Sequence, residues 1–406
     1  IFFLSCSANN KNQNKKDLRN HQIASQCFEY VKMVNQQKED AIDEYINGFS
    51  FEEKIGQLFI VNLEGDTEFK PIEKINLINS DNTQSRYLIP GGYLFFSYNI
   101  AEEKSIVKKF TSSINDYCLN NGYILPFLAV DQEGGDVCRL RNVISYLPSQ
   151  KKVGELYSKE EAFELYKNQG KQMHNLGFNL NFAPVTEVLN NNNKDFLGTR
   201  SFGDFEKTVS YSKACISAYA ENNIGCVIKH FPGNANTDPH TGLPEIDITK
   251  KELDGLIEPF SKIIESNPPL GILMSHVRTS AYDSENPACL SSFWVTEKLR
   301  KDMNYDGIIF SDDIFMGALK ENGYPPEEAV ILAINAGIDC IMISEKRFSS
   351  PAKVIYNKAL DDNSFRMRID QAVNRIIKYK LSSQLLIMED NHGIYKIKNN
   401  GTINEE

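Results

Sequence analysis

Short apolar runs alternate with longer segments of helical periodicity over most of the chain. This alternation is typical of repeated strand–helix units around a parallel sheet. The candidate strands are Leu58–Val61, Tyr93–Phe96, Phe127–Val130, Phe178–Phe182, Cys226–Ile228, Gly271–Met274, Gly307–Phe310 and Cys340–Ile343. The candidate helices lie at about 101–118, 158–175, 204–222, 249–265, 294–303, 325–336 and 365–381. Eight strands with intervening helices predict an α/β fold, a (β/α)8 TIM-type barrel.

A doubly wound open sheet is the structural alternative, but no Gly-rich fingerprint follows the first strand. No internal repeat or Pro/Ser linker divides the region from about 50 to 380, and an amphipathic helical pattern from about Glu29 to Phe51 precedes it. We therefore predict one catalytic domain at residues 29–382. Residues 383–406 are polar and are expected to form an extended or disordered tail.

Residues 1–28 have the character of a clipped signal segment followed by a tether. The apolar run Ile1–Leu4 ends in Ser5 and Cys6, and a polar stretch follows, as after the lipidated cysteine of bacterial lipoproteins. We expect a protein of the bacterial cell envelope, anchored through a lipidated Cys6 or else periplasmic or extracellular. A cytoplasmic location would follow if the segment is not a signal.

Composition narrows the classes of partner. The formal net charge of −10 and the short basic clusters do not suggest a nucleic-acid partner. The eight cysteines occur singly, with no CxxC pair, so neither a disulfide scaffold nor a zinc site is indicated. We expect no cofactor, no metal and a monomer.

Polar side chains follow five of the candidate strands, at the face where barrels of this kind bind their substrates. The segments are Asp131–Gly135 with Arg139, Thr199–Gly203 with Arg200, Lys229–His240, Ser275–His276 and Ser311–Asp313. A lone Asp after a strand is more often a helix N-cap, as Asp313 could be, and Glu133 could brace the turn at Gly134 and Gly135. Five such segments together predict an active site, toward which three histidines point.

The residue types at these strand ends favour glycoside hydrolysis. A retaining glycosidase needs a carboxylate nucleophile, and Asp312 can supply it. His240, with Asp238 two residues before it, offers a proton donor whose imidazole is oriented by its neighbour. Sugar hydroxyls both donate and accept, so the remaining charged side chains are suited to hold them. These are Asp131, Arg139, Arg200 and Lys229.

Two alternatives from other classes stay open at this point. The first is a metal hydrolase on the same barrel; its ligands would be His230, His240, His276 and Asp312. Such enzymes generally use an H-x-H pair at a strand end, which this sequence lacks. The second is a carbohydrate-binding lipoprotein that keeps the barrel without turnover.

The sequence resembles glycoside hydrolase family 3, and specifically its single-domain NagZ-like β-N-acetylglucosaminidases. The resemblance runs from about Ser50 to Ile343. It is carried by the strings DQEGGDVCR from Asp131, RSFG from Arg200, KHFPG from Lys229 with a following D-x-H, and IIFSDDIFMGAL from Ile308.

The resemblance implies a retaining double displacement that removes terminal β-linked N-acetylglucosamine from cell-wall-type or chitin-type oligosaccharides through a covalent glycosyl-enzyme. It implies Asp312 as nucleophile, His240 as general acid/base and Asp238 as the partner of His240. The positions that match sugar-binding residues are Asp131, Arg139, Arg200, Lys229 and His230. A β-glucosidase of the same family is the alternative activity, although its two-domain members take their acid/base from elsewhere.

Three departures from the family pattern lie close to the predicted site. Asn234-Ala235 stands where the pattern has a His-Gly pair, and the loop from there to Asp238 is about two residues shorter. Glu187 stands where the pattern has an Asp.

Overall fold

A closed parallel barrel forms the centre of the computed structural model, which describes residues 32–79 and 86–401. Its strands are β1 Phe59–Asn62, β2 Gly92–Phe95, β3 Phe127–Val130, β4 Leu180–Asn181, β5 Gly225–Phe231, β6 Gly271–Met274, β7 Ile308–Phe310 and β8 Ile341–Ile343. Neighbours pair in parallel in the order β7-β6-β5-β4-β3-β2-β1-β8. A parallel bridge between Phe310 and Cys340 joins β7 to β8. The predicted (β/α)8 barrel is confirmed.

Helices connect the strands close to the predicted bounds. The longer ones are 32–47, Phe51–Gln57, Lys104–Asn120, Gln150–Leu156, Lys159–Asn175, Phe205–Ala220, Lys250–Ser266, the π-helix Phe293–Asp302, Pro326–Ala336, Ser349–Asp361 and Asn363–Ser382. Short turns of helix occur at Asn76–Asn79, Ser97–Asn99, Lys194–Leu197, Ala288–Leu290 and Gly317–Lys320. The sequence patterns did not predict Phe51–Gln57, Gln150–Leu156 and Ser349–Asp361.

Capping boxes fix where several helices begin. Before helix Lys159–Asn175, the Glu161 N–H donates to Ser158 Oγ at 3.2 Å, and the Ser158 N–H donates to Glu161 Oε2 at 2.8 Å. The exchange satisfies backbone donors that the helix itself leaves without partners. The same S/T-x-x-E arrangement begins helices Phe51–Gln57 and Lys250–Ser266.

Aromatic side chains fill the barrel interior between strands that are not neighbours. The rings of Phe182, directly after β4, and Phe310 in β7 meet edge to face with centroids 5.3 Å apart. Gly271 leaves room for this contact, because a β-carbon there would lie 2.5 Å from the Phe310 ring. The interior is therefore a packed core, and ligands must bind at its ends.

The described residues form two compact units. One contains helix 32–47 and residues 388–398; within it, Lys38 Nζ lies 5.7 Å from the ring centroid of Tyr395. The other contains residues 49–387 and 399–401, and thus the barrel.

The C-terminal segment differs from the expected extended or disordered tail. Strands β9 Leu386–Asn391 and β10 Ile394–Asn399 pair as a hairpin. The two residues between them, His392 and Gly393, have φ values of 59° and 86°. Positive φ at both loop positions matches the twist of paired strands, which explains why this polar segment folds.

The predicted signal segment and tether, with the lipidation at Cys6, lie outside the described residues and stay predictions. In the described part of the chain, no helix has the length and apolar character needed to cross a bilayer.

Lys380 is a buried lysine in the last long helix. Its Nζ donates to Gln57 Oε1 at 2.7 Å and lies 5.3 Å from the ring centroid of Phe127. Burial disfavours the charged form and lowers the pKa of Lys380 to about 7. In the unfolded chain the same group titrates near 10.4.

The Lys380→Met variant should remove a pH dependence of stability. Between pH 7 and about 10 the unfolded chain holds a proton that native Lys380 has lost, so the free energy of unfolding rises with pH by about 1.4 kcal/mol per unit. Below pH 7, Lys380 holds its proton in both the native and the unfolded chain, so its contribution to the free energy of unfolding no longer changes with pH. Urea unfolding from pH 7 to 9.5 measures the slope. Lys353→Met, at an exposed position, should keep it; the same slope in Lys380→Met would contradict the assignment.

Candidate active site

The predicted site residues line one cavity of about 350 Å³ at the carboxyl ends of the strands. The charged and polar residues of its wall include Asp131, Glu133, Arg139, Arg200, Lys229, His230, Asn234, His240, Asp312 and Asp313. Apolar parts of the wall come from Phe96, Phe196 and Met316. Of the eight predicted site residues, only Asp238 is not on the wall, and it is hydrogen-bonded to His240.

Glu133 is the buried centre of the charged side of the cavity. Its carboxylate accepts two hydrogen bonds from the Arg200 guanidinium, both at 2.8 Å, and lies 2.7 Å from Lys229 Nζ. Burial alone would raise the pKa of Glu133, but the adjacent charges of Lys229 and Arg200 hold it well below its usual range. Glu133 therefore stays ionised and fixes both cations. The sequence suggested only that it braces the neighbouring turn.

Lys229 links two acidic side chains. Its Nζ lies 2.7 Å from Asp131 Oδ1 as well as from Glu133. Burial works to lower the pKa of Lys229, but Asp131 and Glu133 outweigh it and raise that pKa. The β5–β6 ladder shifts register between Lys229 and Phe231. Such an irregularity re-aims side chains, and here both Lys229 and His230 reach the cavity although adjacent strand residues normally face opposite sides.

Glu187 joins His230 to the start of the loop that follows β5. Glu187 Oε1 lies 2.7 Å from His230 Nδ1 and accepts a hydrogen bond from Asn234 Nδ2 at 3.0 Å. Glu187 Oε2 accepts from the backbone N–H of Asn234 at 2.6 Å. Two of the departures from the family pattern, at 187 and 234, thus contact each other.

His240 and Asp238 form the predicted pair. His240 Nδ1 lies 2.7 Å from Asp238 Oδ1, and the His240 backbone N–H donates to the same oxygen at 2.9 Å. That backbone hydrogen bond, aided by the imidazole, lowers the pKa of Asp238. The ionised carboxylate holds the proton on Nδ1 and leaves Nε2 for exchange with a ligand. His240 remains solvent-exposed, with 67% of its side-chain area accessible.

Asp312 and Asp313 have different surroundings after β7. The Asp312 carboxylate is on the cavity wall and accepts the Asp313 N–H at 2.8 Å. Asp313 Oδ1 accepts backbone N–H groups of Phe315 and Ser344 at 3.1 and 3.0 Å. Burial raises the pKa of Asp313, and these hydrogen bonds offset part of the rise. The hypothesis that Asp313 is a helix N-cap is wrong, because the next helix, Gly317–Lys320, begins after Met316 with no side-chain cap. Asp313 instead organises the backbone at the strand ends, while Asp312 stays available.

The expectation that His276 points into the mouth is wrong. His276 is buried; its Nε2 lies 3.0 Å from the Asp313 carbonyl oxygen and its Nδ1 lies 3.2 Å from Cys289 Sγ. A carbonyl only accepts, so Nε2 carries the proton and Nδ1 accepts from the thiol. Burial raises the pKa of Cys289 well above its ordinary value, which keeps that thiol protonated.

The ligand set of the metal-hydrolase alternative is therefore not assembled. His276 is held by Cys289 and Asp313, and the His230 imidazole is bonded to Glu187. Within residues 32–79 and 86–401, no group of three or more His, Cys, Asp or Glu side chains is placed to hold a metal ion.

Aromatic rings complete the wall beside two arginines. The Arg139 guanidinium carbon lies 5.8 Å from the Phe96 ring centroid, and that of Arg200 lies 5.5 Å from Phe196. Arg139 Nε is buried and has no hydrogen-bond partner in the described part of the chain. Neither phenylalanine was among the predicted site residues, since an aromatic residue near a strand end is usually core.

Comparisons with known proteins identify the family of this chain. A family model described as the N-terminal domain of glycosyl hydrolase family 3 matches residues 50–379. A beta-hexosaminidase A of Pseudoalteromonas piscicida is 30% identical over 279 residues, which are 64% of this chain and 46% of that protein. A beta-hexosaminidase of Haemophilus influenzae is 34% identical over 253 residues, 60% of this chain and 71% of that protein.

A solved structure is similar over a larger share of the chain. It is a glycoside hydrolase family 3 beta-N-acetylglucosaminidase from Paenibacillus sp. str. FPU-7, with a TM-score of 0.73 and 27% identity. The similarity covers 83% of this chain and 63% of that one. The chain thus spans less than two thirds of the Pseudoalteromonas and Paenibacillus proteins. Since the family model covers residues 50–379, the chain belongs to glycosyl hydrolase family 3.

Proposed function

We propose that this chain is a retaining glycoside hydrolase that removes a terminal β-linked N-acetylglucosamine from oligosaccharides of the cell-wall or chitin type. The names of the relatives, beta-hexosaminidase and beta-N-acetylglucosaminidase, support this substrate class. One observation carries the proposal: His240, with Nδ1 bonded to Asp238, and Asp312 stand on the wall of the same cavity.

In the proposed reaction, Asp312 forms and releases the covalent bond to the sugar, and His240 transfers the protons. In the first step, an Asp312 oxygen bonds to the anomeric carbon while the glycosidic C–O bond breaks. The departing oxygen takes the proton from His240 Nε2. In the second step, Nε2 takes a proton from water as the water oxygen attacks the anomeric carbon. The Asp312 ester bond breaks and releases the sugar.

The charged wall supports binding of a neutral sugar. Lys229 and Arg200 have their charges balanced by Asp131 and Glu133, so the wall presents oriented donors and acceptors without a large excess charge. Sugar hydroxyls can use both kinds of group. Arg139 also lies on the cavity wall, and its guanidinium can donate to a sugar oxygen. His230, bonded to Glu187, completes the proposed set of sugar-binding residues.

The Asp312→Asn variant should lose turnover with its fold intact. The amide keeps the size of the side chain but is a poor nucleophile. The rate of p-nitrophenol release from the p-nitrophenyl β-N-acetylglucosaminide should fall by more than about 10³-fold. Asp136→Asn, at an exposed position after β3, should stay near the wild-type rate. Wild-type turnover in Asp312→Asn would refute the nucleophile assignment, and faster wild-type hydrolysis of the p-nitrophenyl β-glucoside would favour a β-glucosidase.

The activity of the His240→Ala variant should depend strongly on the leaving group of the substrate. A dinitrophenolate departs without a proton, whereas a sugar leaving group needs one. The value of kcat/KM for chitobiose should fall by about 10²-fold or more, while that for the 2,4-dinitrophenyl glycoside changes little. Asp238→Asn, which retains an acceptor for Nδ1, should lie between wild type and His240→Ala. If kcat/KM fell equally for both substrates, His240 would not be the group that protonates the leaving oxygen.

The Glu133→Gln variant should lose both stability and substrate affinity. Removing the carboxylate leaves the buried Lys229 charge and Arg200 undercompensated, which should cost roughly 3–5 kcal/mol in the free energy of unfolding. The released side chains should also raise KM for the p-nitrophenyl glycoside. Glu155→Gln makes the same change in the exposed pair with Lys151 and should shift stability by less than about 1 kcal/mol. A Glu133→Gln protein as stable as wild type would show that the ion pairs of Glu133 with Lys229 and Arg200 do not stabilise the fold.

A further inference from the structure

The loop that carries the His240 imidazole, Asn234–His240, is fastened at its start and in its middle. At the start, Glu187 holds both the backbone and the side chain of Asn234. In the middle, Asn236 Oδ1 accepts the Asp195 N–H at 2.9 Å. The Asn236 Nδ2 donates to the Asn191 carbonyl at 3.0 Å. The Asn236 side chain therefore ties the loop to the turn of helix at Lys194–Leu197.

The tip of the loop rests on the segment that follows Asp312. The Ala318 N–H donates to the Pro239 carbonyl at 3.0 Å. A β-carbon built on Gly317 would lie 2.6 Å from the carbonyl oxygen of His240. Real β-carbons do not approach a backbone oxygen this closely. The hydrogen at Gly317 is thus what allows the backbone of His240 to lie against the turn Gly317–Lys320.

We propose that Gly317 and Asn236 are positioning residues for proton transfer by His240. The proposal rests on the function proposed above and deepens it: these two residues hold the shortened loop docked beside the Asp312 segment. Proton transfer requires a heavy-atom separation of about 2.6–3.2 Å, so a small displacement of the imidazole removes it. Asn236 fixes the loop from the side of β4. On the side of β7, Gly317 leaves the room that the tip needs to lie against the turn, where the Ala318 N–H donates to the Pro239 carbonyl.

The Gly317→Ala variant tests this proposal directly. The added methyl group would clash with the carbonyl oxygen of His240, and only a movement of the loop or of the turn can relieve that clash. We expect kcat/KM for chitobiose to fall by about ten-fold or more and that for the 2,4-dinitrophenyl β-N-acetylglucosaminide to stay within about two-fold. Gly255→Ala is the matched control, since a β-carbon there has no atom within 4 Å. It should leave both values unchanged.

The Asn236→Ala variant removes the contacts on the other side of the loop. It keeps the proposal testable if Gly317→Ala fails to fold. Loss of both side-chain hydrogen bonds should give the same leaving-group-dependent pattern. Asn121→Ala removes an exposed asparagine hydrogen bond to Tyr117 at the end of another helix and should have no such effect. If Asn236 had only a structural role, kcat/KM would fall equally for both substrates.

The outcomes separate this inference from the proposed function. If wild type hydrolyses both substrates, but Gly317→Ala and Asn236→Ala match their controls or lose both activities equally, the positioning role is overturned and the function stands. If wild type hydrolyses neither substrate, the proposed function is overturned and the positioning role with it. A selective loss on chitobiose in either variant supports the inference.

Discussion

Closure of an eight-stranded parallel sheet determines where chemistry can take place in this chain. The bridge between Phe310 and Cys340 joins the last pair of strands, and the interior is filled by rings such as those of Phe182 and Phe310. Because all strands run in one direction, their carboxyl ends meet at one rim. Segments far apart in sequence thereby become neighbours, as Asp131, Lys229 and Asp312 do on one cavity wall.

Charge at this rim is tolerated because it is paired. A buried ion costs several kcal/mol, and the cost is recovered only when the partners are close and well oriented. Glu133 meets this condition with two hydrogen bonds from Arg200 and the ammonium of Lys229. The result is a rigid set of donors and acceptors that needs little rearrangement when a neutral ligand arrives. By contrast, His240 and Asp238 stay exposed, which suits the proton exchange proposed for this pair.

The barrel and most of the cavity wall could be predicted from the sequence, because both depend on local patterns. Apolar runs predict buried strands, and the polar residue just past each run, such as Asp131, must lie at the rim. His276 also follows a strand directly, yet its ring turns away to bind Cys289 and the carbonyl of Asp313. That choice depends on partners contributed by later segments, which no local pattern encodes. The importance of Glu133 was missed for the same reason, since Arg200 is 67 positions away.

The departures from the family pattern show why positions compared singly can mislead. Taken separately, Glu for Asp at 187 and Asn for His at 234 are two mismatches beside a shortened loop. In the fold they are one contact: the carboxylate of Glu187 accepts both the backbone and the side-chain N–H of Asn234 while also bonding the His230 imidazole. A glutamate reaches one methylene further than an aspartate, and an asparagine offers a donor on a short side chain. The start of the loop is therefore held at the same buried anchor that orients His230. The shorter path from Asn234 to Asp238 still brings His240 to the cavity, because the tip has its own support at Gly317 and Ala318.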